Sequence, residues 1–217
     1  MDIITSEPDP SLIGLHFRDF SLLVHPRVQT QLITLLADPK SSSIIFSSFE
    51  SAVPFHKFSF SLDTIRMLSL PNAGGHSENS EALSFEVLYR MFGAKLVKAE
   101  MEIKYDNAGW KKTDYSCTLF GHYIGVSVTR AVGFPSSSDF GPSDAQALLS
   151  KKLFGICVSN VGVSGEEKWE RQILHVWCQN SETAKILQDV YYTLHADLRS
   201  NSLLLITVAG NHDWIFS

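Results

Sequence analysis

The chain has 217 residues, of which 44% are hydrophobic and 19% charged, and its formal net charge is −5. This length allows one full hydrophobic core, and the composition excludes the disordered and fibrous classes. No apolar run approaches the roughly 20 residues that span a bilayer, and residues 1 to 10 lack the basic and apolar pattern of a secretion signal. We therefore expect a soluble intracellular protein, nuclear or cytoplasmic, without membrane contact.

The first 70 residues are predicted to form an extension that packs on the rest of the chain. Residues 1 to 10 are polar with two prolines and are expected to fray. Apolar residues at helical spacing predict a helix over 27–37, and the aromatic and β-branched segments 43–49 and 55–62 are expected to pair as a hairpin. Residues 1–70 thus form a helix and hairpin extension, and residues 71–217 form the main domain.

The main domain shows a regular alternation of helix and strand patterns. Residues 71 to 80 form a loop with Ser80 as the expected N-cap, and Gly93 ends the helix that follows. Strands are predicted at 95–105, 114–120, 122–132, 172–180 and 201–210, and further helices from about residue 143 and at 181–199. The first three strands form an antiparallel meander, so the order from residue 81 is α-β-β-β-α-β-α-β. This order predicts an α/β fold with a mixed central sheet.

Polar side chains are expected to converge at the meander. Asp114 begins its second strand, and Ser127 and Thr129 share one face of the third strand because Val126 and Val128 occupy the other face. The meander therefore predicts a polar site between its second and third strands.

These residues and this order of elements resemble the PD-(D/E)xK superfamily, the restriction-endonuclease-like nucleases, over residues 81 to about 180. In that family a helical Glu, an Asp at the start of the second strand and a (D/E)-x-K on the third strand collect one or two Mg²⁺ ions. The resemblance implies that Glu81, or Glu86 on the same helix, is the helical acid and that Asp114 is the strand acid. Ser127 then stands at the third-strand acid and Thr129 at the Lys.

The two hydroxyl residues predict a catalytic site that has decayed. A hydroxyl is a weak neutral ligand for Mg²⁺, and Arg130 is permanently charged and alternates to the face opposite Thr129. We therefore expect only weak or absent metal binding at Glu81 and Asp114, and no cofactor. The predicted function is a module that binds nucleic acid, or a protein partner, within a DNA or RNA processing assembly.

Two alternatives remain open at this point. An active Mg²⁺-dependent nuclease would use Glu81 and Asp114 with a Lys that has moved into the site, such as Lys104, Lys111 or Lys112. A purely structural interaction domain would have no cluster of acids.

A short basic and aromatic run precedes the second meander strand. Trp110, expected to be exposed, is followed by Lys111 and Lys112, and with Arg130 these residues are the candidates for binding nucleic acid. The alternative interpretation of the basic residues between 95 and 112 is a solvated strand face and turn.

Other motifs predict structural roles. Residues 209–214 resemble the GNH(D/E) signature of calcineurin-like metallophosphoesterases, but the upstream motifs of that family are absent from the sequence. A polar turn at His212, with Trp214 and Phe216 packed on the core, is expected instead. His175 lies in an apolar strand and is predicted to be a satisfied core imidazole. The three cysteines are widely spaced in apolar segments, which is typical of reduced core thiols and supports no zinc site.

Overall fold

The computed structural model describes residues 11–38, 40–71, 77–107, 109–133, 139–210 and 212–216. Within them the chain forms strands β1 (Ile13–His16), β2 (Phe20–Val24), β3 (Ser43–Ser51), β4 (Lys95–Ala99), β5 (Tyr115–Leu119), β6 (His122–Ala131), β7 (Arg171–Cys178) and β8 (Ser202–Val208). The helices are α1 (Val28–Ala37), α2 (Leu62–Ser69), α3 (Glu78–Phe92), α4 (Pro142–Gly162), α5 (Ser181–Thr193), α6 (Ala196–Arg199) and α7 (Asp213–Phe216). In this part of the chain no helix combines the length and apolarity needed to cross a membrane.

All eight described strands belong to one mixed sheet in the order β1-β2-β3-β8-β7-β6-β5-β4. The four central strands, β3, β8, β7 and β6, are parallel, and the pairs at both ends are antiparallel. The predicted α/β class with a mixed sheet and an α-β-β-β-α-β-α-β order is confirmed.

Helices cover both faces of the sheet. One core contains α1, α3 and the apolar side chains of β2, β5 and β6, and the second lies between the opposite face and helices α4 and α5. Strand β7 is buried along its whole length, as expected for a parallel strand between two helical layers. Helix α3 has ten buried residues, so its position relative to the sheet is tightly fixed.

The predicted hairpin of segments 43–49 and 55–62 is wrong. Strand β3 pairs with β2 and β8 instead, and the second segment forms a 3₁₀ turn at Phe55–Lys57 before α2 begins. Two local features explain this outcome: Pro54 offers no backbone donor to a neighbouring strand, and the Ser61 side chain caps α2 by accepting from the Thr64 N–H. The hairpin that does form is β1–β2, and the expected fraying of residues 1–10 lies outside the described residues.

Two boundaries in the meander region also differ from the prediction. The strand expected over 95–105 stops at Ala99, because the Glu102 carboxylate accepts the Ala99 N–H at 2.9 Å and a 3₁₀ turn follows. Helix α3 begins one turn earlier than expected, after Ser77 rather than Ser80. It ends at Gly93 as predicted, where a φ of 71° favours glycine.

Candidate functional site

The structure brings Glu81 and Asp114 together. Glu81 lies near the start of α3 with 7% of its surface exposed, and Asp114 directly precedes β5 and is half-buried. Both line a cavity of about 330 Å³ that also contacts Thr129, Arg130 and Phe216 beyond the edge of α3. The helical acid and the strand acid of the predicted site therefore share one cavity.

Asp114 is fixed by the backbone of the neighbouring strand. Its N–H donates to the Val126 carbonyl at 3.1 Å, and its Oδ2 accepts the Val128 N–H at 2.5 Å. The Asp114 carboxylate is therefore held at the start of β5, and turning it to solvent would leave the Val128 N–H without this acceptor. A side chain held in this way is organised in advance for binding.

Burial and a neighbouring acid raise the proton affinity of both carboxyl groups. Burial, followed by the charge of Glu81, raises the pKa of Asp114 well above its usual range. Burial also raises the pKa of Glu81, against a hydrogen bond with Ser77 that lowers it, and the nearby charge of Glu100 raises it further. Both carboxyl groups are therefore shifted toward the protonated form.

A third acid, Glu100, lies close enough for its charge to act on both carboxyl groups. It lines a narrow cleft with Glu81 and Asp114, between α2 and the turn after β4. Nevertheless, the described residues include no group of three or more His, Cys, Asp or Glu placed so that they could hold a metal ion.

The two third-strand hydroxyls line different cavities beside Asp114. Ser127 lines a cavity with Asp114 on the side of α4, and Thr129 lines the cavity that contains Glu81 and Asp114. Neither residue supplies a charge, so the two carboxylates are the only acidic groups that the predicted motif contributes to these cavities.

Glu86, the second candidate for the helical acid, has a structural role instead. Its Oε2 accepts from the Ser61 N–H at 3.0 Å and from the hydroxyls of Ser61 and Thr64, and its Oε1 accepts from Arg90 at 2.7 Å. These contacts tie α2 to α3. Of the two glutamates, Glu81 is the one that lines cavities with Asp114.

Lys152 is the site residue that the sequence analysis missed. Its Nζ donates to the Val128 carbonyl at 3.4 Å, and its charge lowers the pKa of both Glu81 and Asp114. A partial sequence signal was available, because Lys152 directly precedes Leu153 in the buried stripe of α4 that includes Leu149. A residue at the border of such a stripe lies close to the sheet.

Four lysines converge on the α4 side of Asp114. Lys111 and Lys112 come from the segment before β5, and Lys151 and Lys152 from α4, and together they line a cavity of about 100 Å³ that Ser127 and Asp114 also contact. By contrast, Lys98 forms an ion pair with Glu167, and the Lys104 N–H donates to the same carboxylate. Of the three lysines proposed to move into the site, Lys111 and Lys112 line this cavity, whereas Lys104 lines none of the cavities around Asp114 described above.

Two further candidates lie differently from the prediction. Trp110 is half-buried rather than exposed, because its ring covers Gly162 so closely that an added Cβ there would come within 1.9 Å of Cε3. It therefore secures the end of α4. Arg130 follows Thr129 directly in β6, and both residues line the cavity that contains Glu81 and Asp114.

The remaining motifs have the structural roles that were predicted, except that Cys157 is only partly buried and is not a core thiol. The His212 Nε2 accepts the Ser51 N–H at 3.2 Å, and Trp214 and Phe216 pack against the core. His175 is fully buried with both ring nitrogens hydrogen-bonded. All three cysteines are free, and burial raises the pKa of Cys117 and of Cys178 to about 12, which keeps these thiols protonated at neutral pH.

Comparison with known proteins gives a sequence relative but no family. No family model matches the chain. A Dictyostelium discoideum protein described as "AAC-rich mRNA clone AAC4 protein" is 42% identical over 188 residues, which cover 83% of this chain and 27% of the relative. The chain thus spans about a quarter of the length of that relative, whose description names no activity or ligand.

Proposed function

We propose that this chain is a PD-(D/E)xK-like module that binds the phosphate backbone of nucleic acid and no longer cleaves it. The observation that carries the proposal is the basic cavity of Lys111, Lys112, Lys151 and Lys152 beside Asp114. Ammonium groups grouped in this way attract phosphates, although the chain as a whole carries a net charge of −5. A local basic surface next to an acidic pair is the arrangement expected where a nuclease-like site holds a phosphodiester.

Loss of cleavage is supported by the groups around the acidic pair. A Mg²⁺ ion in a nuclease of this superfamily relies on acidic ligands and on a Lys of the third strand, and here Ser127 and Thr129 stand at those positions. The described residues also place an ammonium, Lys152, on a backbone carbonyl beside both carboxylates. This donor set does not fit the divalent ion that the resemblance implies.

The binding proposal is tested by fluorescence anisotropy with labelled single- and double-stranded DNA and RNA over a series of salt concentrations. We expect weak, steeply salt-dependent binding. The double variant Lys111→Ala, Lys112→Ala should reduce the slope of log affinity against log salt by about one for each phosphate that the variant no longer binds. The matched control is Lys57→Ala with Lys185→Ala, which removes the same charge from two exposed lysines outside the cavity.

The outcomes separate the proposed partners. Affinity that is insensitive both to salt and to the Lys111 and Lys112 changes would remove this surface as a nucleic-acid site. Equal losses of nucleic-acid affinity in the cavity variant and the control variant would show that the effect comes from overall charge alone. Undetectable binding to every nucleic acid would shift the proposal to a protein partner in a processing assembly.

A further inference from the structure

Lys152 lines two cavities that Asp114 also lines, and its Nζ donates to the Val128 carbonyl at 3.4 Å. It lines both the cavity that contains Glu81 and the basic cavity that contains Ser127, so it stands between the two sides of the site. No other lysine of the described residues lines both cavities. We infer that the Lys152 ammonium is the built-in cation of the Glu81 and Asp114 site and takes the place of a divalent metal ion.

The backbone of one residue, Val128, connects the cation to the acid. The Val128 N–H donates to Asp114 Oδ2 at 2.5 Å, while the carbonyl of the same residue accepts from Lys152 Nζ at 3.4 Å. A hard divalent ion would seek the same set of groups, namely two carboxylates and a backbone carbonyl. An ammonium that already interacts with the carbonyl repels a second cation there.

The charges of the site agree with this assignment. Glu81 and Asp114 are coupled through their charges, and Lys152 is the cation that lowers the pKa of both. A lysine can serve in this way because its four-carbon stem reaches from α4 while its ammonium donates three hydrogen bonds. Lys151, its neighbour in sequence, lines the basic cavity but not the cavity of Glu81, so it is not part of the same arrangement.

The inference deepens the proposed function and rests on it for its biological meaning, since it names the group that replaces the metal. A phosphate entering the basic cavity would meet an ammonium that is already in position and requires no added ion. Titration of the protein with Mn²⁺ alone tests the inference, because its result does not depend on whether nucleic acid binds.

The experiment is titration of the purified chain with MnCl₂, followed by isothermal calorimetry and by the shift in melting temperature. Wild-type protein and Lys151→Ala should show no saturable Mn²⁺ binding in the micromolar range. Lys152→Ala should gain a single saturable Mn²⁺ site, and so should Lys152→Met, which keeps the aliphatic stem. The affinity of that site should be at least tenfold higher than any residual Mn²⁺ affinity of the wild-type protein. Adding Asp114→Asn to Lys152→Ala should abolish that gain.

Two results would overturn the inference. One is the absence of any gain in Lys152→Ala and Lys152→Met when circular dichroism shows that either is folded. The other is saturable Mn²⁺ binding by wild-type protein that Asp114→Asn removes, which needs no Lys152 variant and therefore decides the matter even if both of them misfold. Failure of the proposed function would be seen separately, as an absence of anisotropy binding with the Mn²⁺ results unchanged.

Discussion

At the scale of single residues, a chain of buried polar groups crosses the sheet beneath α3. The His175 ring lies 2.7 Å from the Ser84 hydroxyl and 2.8 Å from the Thr207 hydroxyl. Ser84 also contacts the Tyr115 hydroxyl at 2.9 Å, and Thr207 contacts Ser47 at 2.8 Å. Because every member is satisfied, this network fixes α3 over β7, and Ser84 lies one turn beyond the site carboxylate at position 81.

The His175 ring makes stability depend on pH in the acidic range. Burial lowers the pKa of His175 to about 3, while in the unfolded chain it lies near 6.5. The contribution of this residue is therefore complete above pH 6.5 and is lost as the pH falls toward 3, by up to about 1.4 kcal/mol per pH unit. In urea denaturation series, His175→Gln should be less stable at pH 7 and should lose less stability between pH 6 and 4 than wild type. Equal pH slopes in the two proteins would contradict the buried neutral ring.

The acidic pair has the opposite effect at higher pH. Since the pKa of Asp114 is raised in the folded chain, stability is present at low pH and is lost as the pH rises from its unfolded value through the folded one. Asp114→Asn keeps an acceptor for the Val128 N–H and removes the charge, so it should stabilise the protein at pH 8 by about 1–3 kcal/mol, and the gain should vanish near pH 4. Asp63→Asn is the matched control, because Asp63 also accepts a backbone N–H, from Leu96 at 3.0 Å, and should give no gain. A destabilised Asp114→Asn at pH 8 would show that the charge is compensated.

At the scale of elements, the helices and strands with a strong periodic pattern of apolar residues could be predicted from the sequence. Those that depend on local contacts could not. Helices α3, α4 and α5 and the longer strands β6, β7 and β8 follow from apolar spacing and from the glycine at position 93. Strands β1 and β2 have four and five residues, too few to give a clear alternation, and the aromatic segment at 55–60 imitates a strand. The pattern of α4 places Lys152 near the sheet, but its partner is a backbone carbonyl of a distant strand, which no residue pattern indicates.

The two faces of β6 can be separated by substitution. Val126 is fully buried in the core beneath α3, whereas Ser127 is 8% exposed and faces the cavity beside α4. Burial of a Val is worth roughly 1.5–3 kcal/mol, and an unpaired buried carboxylate adds its own cost, so Val126→Asp should unfold or aggregate the protein. Ser127→Ala should cost about 1 kcal/mol or less. Thermal melts decide between the faces, and a tolerated Val126→Asp beside a crippling Ser127→Ala would mean that they are reversed.

At the scale of the whole molecule, one mixed sheet carries both the N-terminal strands and the strands that follow α3. Strand β3 pairs with β8 in parallel through six residue pairs, so residues 43–51 belong to the same sheet as the site strands. The acids and the lysines of the site come from α3, from the segment before β5 and from α4. Helices α3 and α4 cover opposite faces of this sheet. The site therefore depends on the complete layered fold rather than on one local motif.

The measurement that tests the central proposal most directly is a cleavage time course. Purified chain is incubated with end-labelled single- and double-stranded DNA and RNA in Mg²⁺ and in Mn²⁺, and the products are resolved on denaturing gels beside Asp114→Asn and the Asp63→Asn control. With hydroxyls at positions 127 and 129 and an ammonium at 152, we expect no cleavage by the wild-type chain above that of Asp114→Asn. Robust cleavage by wild type and Asp63→Asn that Asp114→Asn abolishes would contradict the decayed site and establish a metal-dependent nuclease.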